Sequence, residues 1–246
     1  MPRILLTGLM QTSDRTVIVT QSRLSGITSN ALDIRHAPII TTETLPFDEK
    51  IFAVEYDWLI LTSPNAVKHF MRFISRVNYR KLASIGMKTT ESLRKHGIAV
   101  DFEPTGYSQE TFMKEFEADG NKRILYPVSL NARPLLYDHL TGNGMSVTRI
   151  RLYKPVPNAV SLEEIGALLD SKPFAITFSS PSGVKAYADR FGPKIPENTI
   201  VAAIGHVTAD ALKKYGIKSV QPGKETLQDM IDMLEYGMDR GVENEF

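Results

Sequence analysis

Two short stretches of this sequence carry residue types that could hold a ligand. Thr62-Ser63-Pro64-Asn65-Ala66 and Ser179-Ser180-Pro181-Ser182-Gly183 each follow a β-branched apolar run and open a helix-periodic segment. Ser or Thr before Pro is a good helix start: the hydroxyl accepts from a first-turn N–H, and Pro lacks the donor that would be left over. Two further strands end in Ile-Gly, at Ile85-Gly86 and Ile204-Gly205, with a threonine three residues on, Thr89 and Thr208. Glycine lets a ligand approach the backbone, and the free N–H groups of a helix start carry partial positive charge. Hydroxyls, glycines and helix N-termini in this order suit an anion such as a carboxylate. Each motif taken singly is also what an ordinary helix cap looks like.

Other chemistries lack their residues. Cysteine is absent, which removes disulfides, thiolate nucleophiles and Cys-ligated metals. The five histidines, His36, His69, His96, His139 and His206, form no H-x-x-x-H or H-E-x-x-H pair, so no metal is expected. His206 follows Gly205 directly and reads as a loop residue. A dinucleotide fingerprint, a P-loop and a G-x-S-x-G elbow are all missing; Gly142–Val147 (GNGMSV) precedes a strand, the wrong context, and Gly223-Lys224-Glu225-Thr226 lacks the upstream glycine.

The elements that must place these residues alternate between strand and helix. Strands are expected at 16–20, 38–42, 58–62, 82–85, 99–102, 123–127, 146–153, 174–179, 200–204 and 219–221. Helices are expected at 64–76, 89–95, 109–117, 183–190, 208–214 and 226–236. Such alternation implies parallel sheets covered by helices on both faces, and runs apolar on both sides, such as VAAIG, fit doubly buried strands.

An internal repeat organises the chain. WLILTSPNAVKHF from Trp58 matches FAITFSSPSGVKAY from Phe174, and ASIGMKTTESLRKHGI matches AAIGHVTADALKKYGI. Ser63 thus pairs with Ser180, Gly86 with Gly205 and Thr89 with Thr208. A weaker match links the opening segment, about 15–42, to the segment of about 122–153. The first half therefore reads as interrupted: one domain from 1–40 plus 157–246, a second inserted at 46–150, and linker strands at 41–45 and 151–156. The prolines of Tyr153–Pro157 hold the second crossing extended. Two crossings would make a hinge that can close like a clamp. The fold class expected is α/β, two flavodoxin-like parallel-sheet domains joined by a two-stranded hinge, one inserted into the other.

Composition sets the outer bounds. The 246 residues carry 29 Lys+Arg against 28 Asp+Glu, net charge +1, with 42% hydrophobic residues. That is an ordinary globular balance, and neutrality argues against a general nucleic-acid binder. No run of roughly 18 apolar residues is present, so no membrane association is expected. The N-terminal segment lacks the order of a secretory signal, so a cytoplasmic location is expected.

With these residues in place the chain resembles the uroporphyrinogen-III synthase family. The resemblance rests on LTSPNAV and FSSPSGV at paired strand ends, AAIG followed by Thr208 and Ala209, YPVSLNAR before a helix, and a tyrosine ending the returning strand, RIRLYKPVP. It runs from about residue 15 to about residue 236. Where bacterial members commonly have T-R-P, this chain has Thr20-Gln21-Ser22. The resemblance implies a cofactor-independent, cyclizing hydro-lyase of tetrapyrrole (heme) biosynthesis. Its substrate would be hydroxymethylbilane, a linear octacarboxylate closed with loss of water and inversion of the last ring. It also implies Tyr153 as catalytic proton donor and a substrate-binding set of Thr62, Ser63, Asn65, Gly86, Thr89, Arg133, Ser179, Ser180, Ser182, Gly205 and Thr208. The chain is expected to be a monomer, with transient contact to the hydroxymethylbilane-forming enzyme as a protein partnership. The alternative from another class is a non-catalytic bilobed binding protein for a polyanionic small molecule.

Overall fold

Thr16–Val19 (β1) and Asp33–His36 (β2) open the fold, followed by Ile40–Thr44 (β3), Glu55–Leu61 (β4) and Pro64–Phe70 (α1). Then come Asn78–Ser84 (β5), Met87–Lys95 (α2), Gln109–Glu115 (α3), Arg123–Ser129 (β6) and Leu135–Gly142 (α4). Ser146–Pro157 (β7), Ala159–Asp170 (α5), Ala175–Phe178 (β8), Pro181–Phe191 (α6), Ile200–Ala203 (β9), His206–Lys214 (α7) and Leu227–Asp239 (α8) complete it. This is a computed structural model, and it describes residues 15–24, 26–118 and 120–239. Two compact units emerge: one holds the described residues up to Thr41 and from Val156 onward, the other is Thr42–Pro155.

In the first unit a four-stranded sheet runs β2-β1-β8-β9, and its pairings are parallel. Alternate residues of each strand feed opposite faces, as the two-residue period of a strand demands. Ile18, Ile176, Phe178, Val201 and Ala203 pack under Val184 and Tyr187 of α6 and Leu212 of α7. Val17, Val19, Ala175 and Ala202 pack under Leu227, Met230, Ile231 and Leu234 of α8.

The second unit is a five-stranded sheet, β3-β7-β6-β4-β5, in which β7, β6, β4 and β5 pair in parallel. One face buries Leu59, Leu61, Leu82, Leu125 and Ile150 against Val67 and Phe70 of α1. The other buries Ile60, Ala83, Ile124, Tyr126 and Val128 against Phe112 of α3 and Leu136 and Leu140 of α4.

Several strands depart from expectation. A strand was expected at 38–42; the chain instead pairs at Asp33–His36, and Ile40–Thr44 joins the other sheet. Pro38, which has no N–H to give a ladder, separates the two. The expected strands at 99–102 and 219–221 shrink to single bridges, Phe102 to Ala83 and Val220 to Ala202. Pro104 and Pro222 follow closely. At the first of these the Asp101 carboxylate accepts the Leu82 N–H at 2.7 Å, so a side chain replaces a ladder carbonyl. The first sheet therefore has four strands where five were expected. The long helix expected at 64–76 is α1 followed by a 3-10 segment, Met71–Arg76.

A bulge near the end of β7 sets the direction of Tyr153. Along β6 and β7, Pro127 faces Ile150, Val128 faces Arg151, and Ser129 faces Tyr153, so Leu152 is the extra residue. Strict alternation would put Tyr153 on the face of Arg149 and Arg151. The bulge brings it instead into the same cluster as Ile150 and Leu152.

Candidate functional site

In the second unit β4 runs into α1 through Thr62 and Ser63. Ser63 has extended backbone, φ −157° and ψ 154°, and its Oγ accepts the Ala66 N–H at 3.1 Å. Pro64 takes the first helical position, where no N–H is needed. The same Oγ lies 3.0 Å from the Tyr153 Oη. A serine hydroxyl has one hydrogen and two lone pairs, so after accepting from Ala66 it still has its hydrogen to give the phenol.

Tyr153 is 7% exposed. Burial pushes its phenol above the ordinary tyrosine value, and the Ser63 hydrogen bond works in the opposite direction. Its ring stacks on that of His69, centroids 5.1 Å apart and planes 8° from parallel. His69 is itself buried, with its two ring nitrogens each 2.7 Å from a hydroxyl, Nδ1 from Thr44 and Nε2 from Thr42. Burial first, then the charges of Lys68 and Arg72, hold the imidazole below its usual value. It is therefore neutral at pH 7.

The first unit repeats the cap without the tyrosine. Ser180 has φ −161° and ψ 152°, and its Oγ accepts the Gly183 N–H at 3.3 Å while lying 3.0 Å from the Ser182 Oγ. Ser179, Ser180 and Ser182 line a hollow of about 370 Å³ whose other wall includes Thr20, Gln21 and Ser22. Among the described residues no charged side chain lines it, and the buried Gln21 Oε1 has no protein partner. A ligand carboxylate in this hollow would meet hydroxyls and helix N–H groups.

The paired glycines serve different ends. Gly86 has φ +79°, which L side chains rarely adopt, and precedes α2. Gly205 has φ −172°, ordinary extended backbone, but a Cβ there would run into the Glu225 carboxylate. What a side chain at 205 would meet is the end of the exposed Glu225 side chain, not a forbidden backbone conformation. In the first copy the neighbour is Tyr107, whose Cδ1 would lie 3.4 Å from a Cβ on Gly86. Tyr107 and Glu225 stand in matching loops, each a few residues after the single-bridge segment of its copy. Glu225 also lies 3.2 Å from the Nδ1 of the exposed His206.

The remaining expected residues divide. Thr89 and Thr208 are 2% and 3% exposed, so their side chains sit inside the starts of α2 and α7. Their N–H groups bond the carbonyls of Gly86 and Gly205. Asn65 lies half-buried in the first turn of α1 and Thr62 half-buried at its approach. Arg133 is exposed and pairs loosely with Glu110 at 3.7 Å, an interaction of little energetic weight in solvent. Within the second unit, then, Ser63 and Tyr153 meet; within the first, Ser179, Ser180 and Ser182 do. His69, Thr42, Thr44, Tyr107 and Glu225 were not anticipated from the sequence. Among the described residues no helix is long and apolar enough to cross a membrane.

Comparison with known proteins adds a family. Residues 27–232 match the family model described as uroporphyrinogen-III synthase HemD. A protein of Methanothermobacter thermautotrophicus, whose name is a provisional assignment to this synthase, is 31% identical over 208 residues, 78% of this chain and 82% of that one. The uroporphyrinogen-III synthase of Synechococcus elongatus is 27% identical over 209 residues, 78% of this chain and 79% of its own. The crystal structure of the Helicobacter pylori uroporphyrinogen-III synthetase shares the fold, with a TM-score of 0.60 at 21% identity over 90% of this chain and 99% of that chain.

Proposed function

Because this chain belongs to the uroporphyrinogen-III synthase family, we propose that it closes hydroxymethylbilane to uroporphyrinogen III, a hydro-lyase reaction that inverts ring D. Water is the only thing lost, so the reaction balances without an oxidant or a reductant. The family match over residues 27–232 carries this reading. It includes Tyr153 and every residue of the expected substrate-binding set.

In the step assigned to Tyr153, the phenol gives its proton to the departing hydroxyl, which leaves as water. The resulting azafulvene cation is attacked by the substituted carbon of ring D. The spiro intermediate then opens and recloses with that ring reversed, and the proton released on rearomatisation restores the phenol. Ser63 supports the role, because a donor 3.0 Å from the phenolic oxygen stabilises the phenolate as it forms. It also leaves the phenol hydrogen free to point at substrate. Holding the reacting carbons at attack distance is the larger part of the catalysis.

Carboxylate binding falls to the strand-end edges of both units: Thr62, Asn65, Gly86, Thr89 and Arg133 in one, Ser179, Ser180, Ser182, Gly205 and Thr208 in the other. Backbone N–H groups at helix starts suit a polyanion bound by a chain of net charge +1. Each unit reads as flavodoxin-like, 1–40 plus 157–246 and 46–150, with 41–45 and 151–156 as linking strands. For the first unit the order β2-β1-β8-β9 supports this, since it is the 2-1-3-4 part of the flavodoxin order. A cytoplasmic monomer is the state proposed.

The test is a coupled assay from porphobilinogen with a hydroxymethylbilane-forming enzyme, the isomers separated after oxidation. Type III product with this protein and type I without it is the expected result. Type I in both tubes would overturn the reading.

A further inference from the structure

His69 has no part in the proton transfer assigned to Tyr153, yet its surroundings are more constrained than packing needs. It lies on α1, six residues after Ser63, and is 7% exposed. Thr42 and Thr44 are alternate residues of β3, so both side chains leave the strand on one face. Their hydroxyls bracket the imidazole at 2.7 Å on either edge. A neutral imidazole has one N–H and one lone pair, so one threonine accepts from the ring and the other donates to it. One flat face of the ring lies on Tyr153 at 5.1 Å and 8°.

A phenylalanine would fill the same space without the desolvation that a buried imidazole suffers. It would not fix the ring plane, because the terminal torsion of an aromatic side chain is broad. Hydrogen bonds at both edges remove that freedom. A parallel stack then passes the fixed plane to the neighbouring ring. Tyr153 is thereby held from two directions: its plane by His69, its oxygen by Ser63.

We propose that His69, pinned between Thr42 and Thr44, is a positioning residue that orients the Tyr153 phenol for proton transfer. The proposal rests on Tyr153 being the proton donor of the synthase reaction. His69 touches neither substrate nor the leaving group; it acts through the tyrosine.

Two variants separate this from simple packing. His69→Phe keeps a ring and loses both hydrogen bonds. The pair Thr42→Val with Thr44→Val keeps the histidine and loses the same bonds, and serves if His69→Phe does not fold. Both should lower kcat about tenfold with KM within about twofold, since a misplaced acid slows a step without changing binding. The pair Thr42→Ser with Thr44→Ser, which retains both hydroxyls, recovers the loss relative to the valines. Added to Tyr153→Phe, His69→Phe should do nothing further. In parallel, NMR of ring-labelled tyrosine reads the Tyr153 ring directly: its flip rate should rise at least about tenfold in the valine pair. Unchanged kcat and unchanged flipping in the folded valine pair would overturn the proposal. So would an undiminished effect of His69→Phe on top of Tyr153→Phe. If the wild-type protein makes no type III isomer while the flip rates behave as expected, the synthase reading fails and the positioning of Tyr153 by His69 stands.

Discussion

At the scale of single residues, Tyr153 and His69 make opposite statements about protons. Burial raises the Tyr153 phenol, so it stays protonated through and beyond neutral pH. The wild-type kcat profile should be flat through neutrality and fall only above the ordinary tyrosine value of 10.0. Tyr153→Phe should lower kcat by about a hundredfold, within the range of general acids, without abolishing it. It should also erase that alkaline limb; a loss under twofold would remove Tyr153 from the chemistry. His69 resists protonation in the folded chain, whereas the unfolded chain binds a proton near the ordinary histidine value of 6.5. The unfolded state then holds more protons as pH falls, and stability drops with it. Melting temperature should therefore decline less between pH 7 and pH 5 in His69→Phe than in wild type, measured by circular dichroism. The serine caps were legible in the sequence because a cap is local, a hydroxyl three residues from its N–H. The histidine was not legible, because its two partners lie 25 and 27 residues upstream and only the pairing of β3 with β7 brings that segment alongside.

At the scale of elements, the duplicated glycines give a paired test. Gly86→Ala forces an alanine to φ +79° and should destabilise by about 1–2 kcal/mol in chemical denaturation. Gly205→Ala imposes no such strain and meets only the end of an exposed, flexible Glu225 side chain. It should cost less than Gly86→Ala, because the glutamate can swing away. Glu225 places a carboxylate over the start of α7, where the proposed function puts a substrate carboxylate, so Glu225→Gln should lower KM by about twofold or more. A raised KM would show instead that the glutamate helps to shape the site. The sequence showed that both glycines punctuate a strand–helix junction. It could not show that one answers to its own torsion and the other to a neighbour twenty positions later in the chain. Nor could it show the bulge at Leu152, since Arg151-Leu152-Tyr153 reads as plain alternation and the extra residue is defined only by the partner strand.

At the scale of the whole molecule, the repeat was legible because its apolar runs and punctuation recur together. The sheets it specifies differ in ways composition does not record. Ser219–Gln221 and Ala99–Phe102 have strand-like residues but end at prolines after one bridge each. The two units also differ in chemistry: both have a serine-capped helix after a strand, and only the second sets a phenol beside the cap. Ser180→Gly, which costs a helix start only a few tenths of a kcal/mol, should accordingly raise KM and leave kcat within about twofold. A fall in kcat with unchanged KM would move the first unit from binding into the reaction.

The Oγ of Ser63 has two simultaneous duties, closing the first turn of α1 and touching the phenol. Helix ends fray well before a domain melts. Gentle warming that opens this one turn would disarm the proton donor while the sheets beneath remain intact. Turnover should therefore fall toward the level of Tyr153→Phe, and recover on cooling, several degrees short of global unfolding.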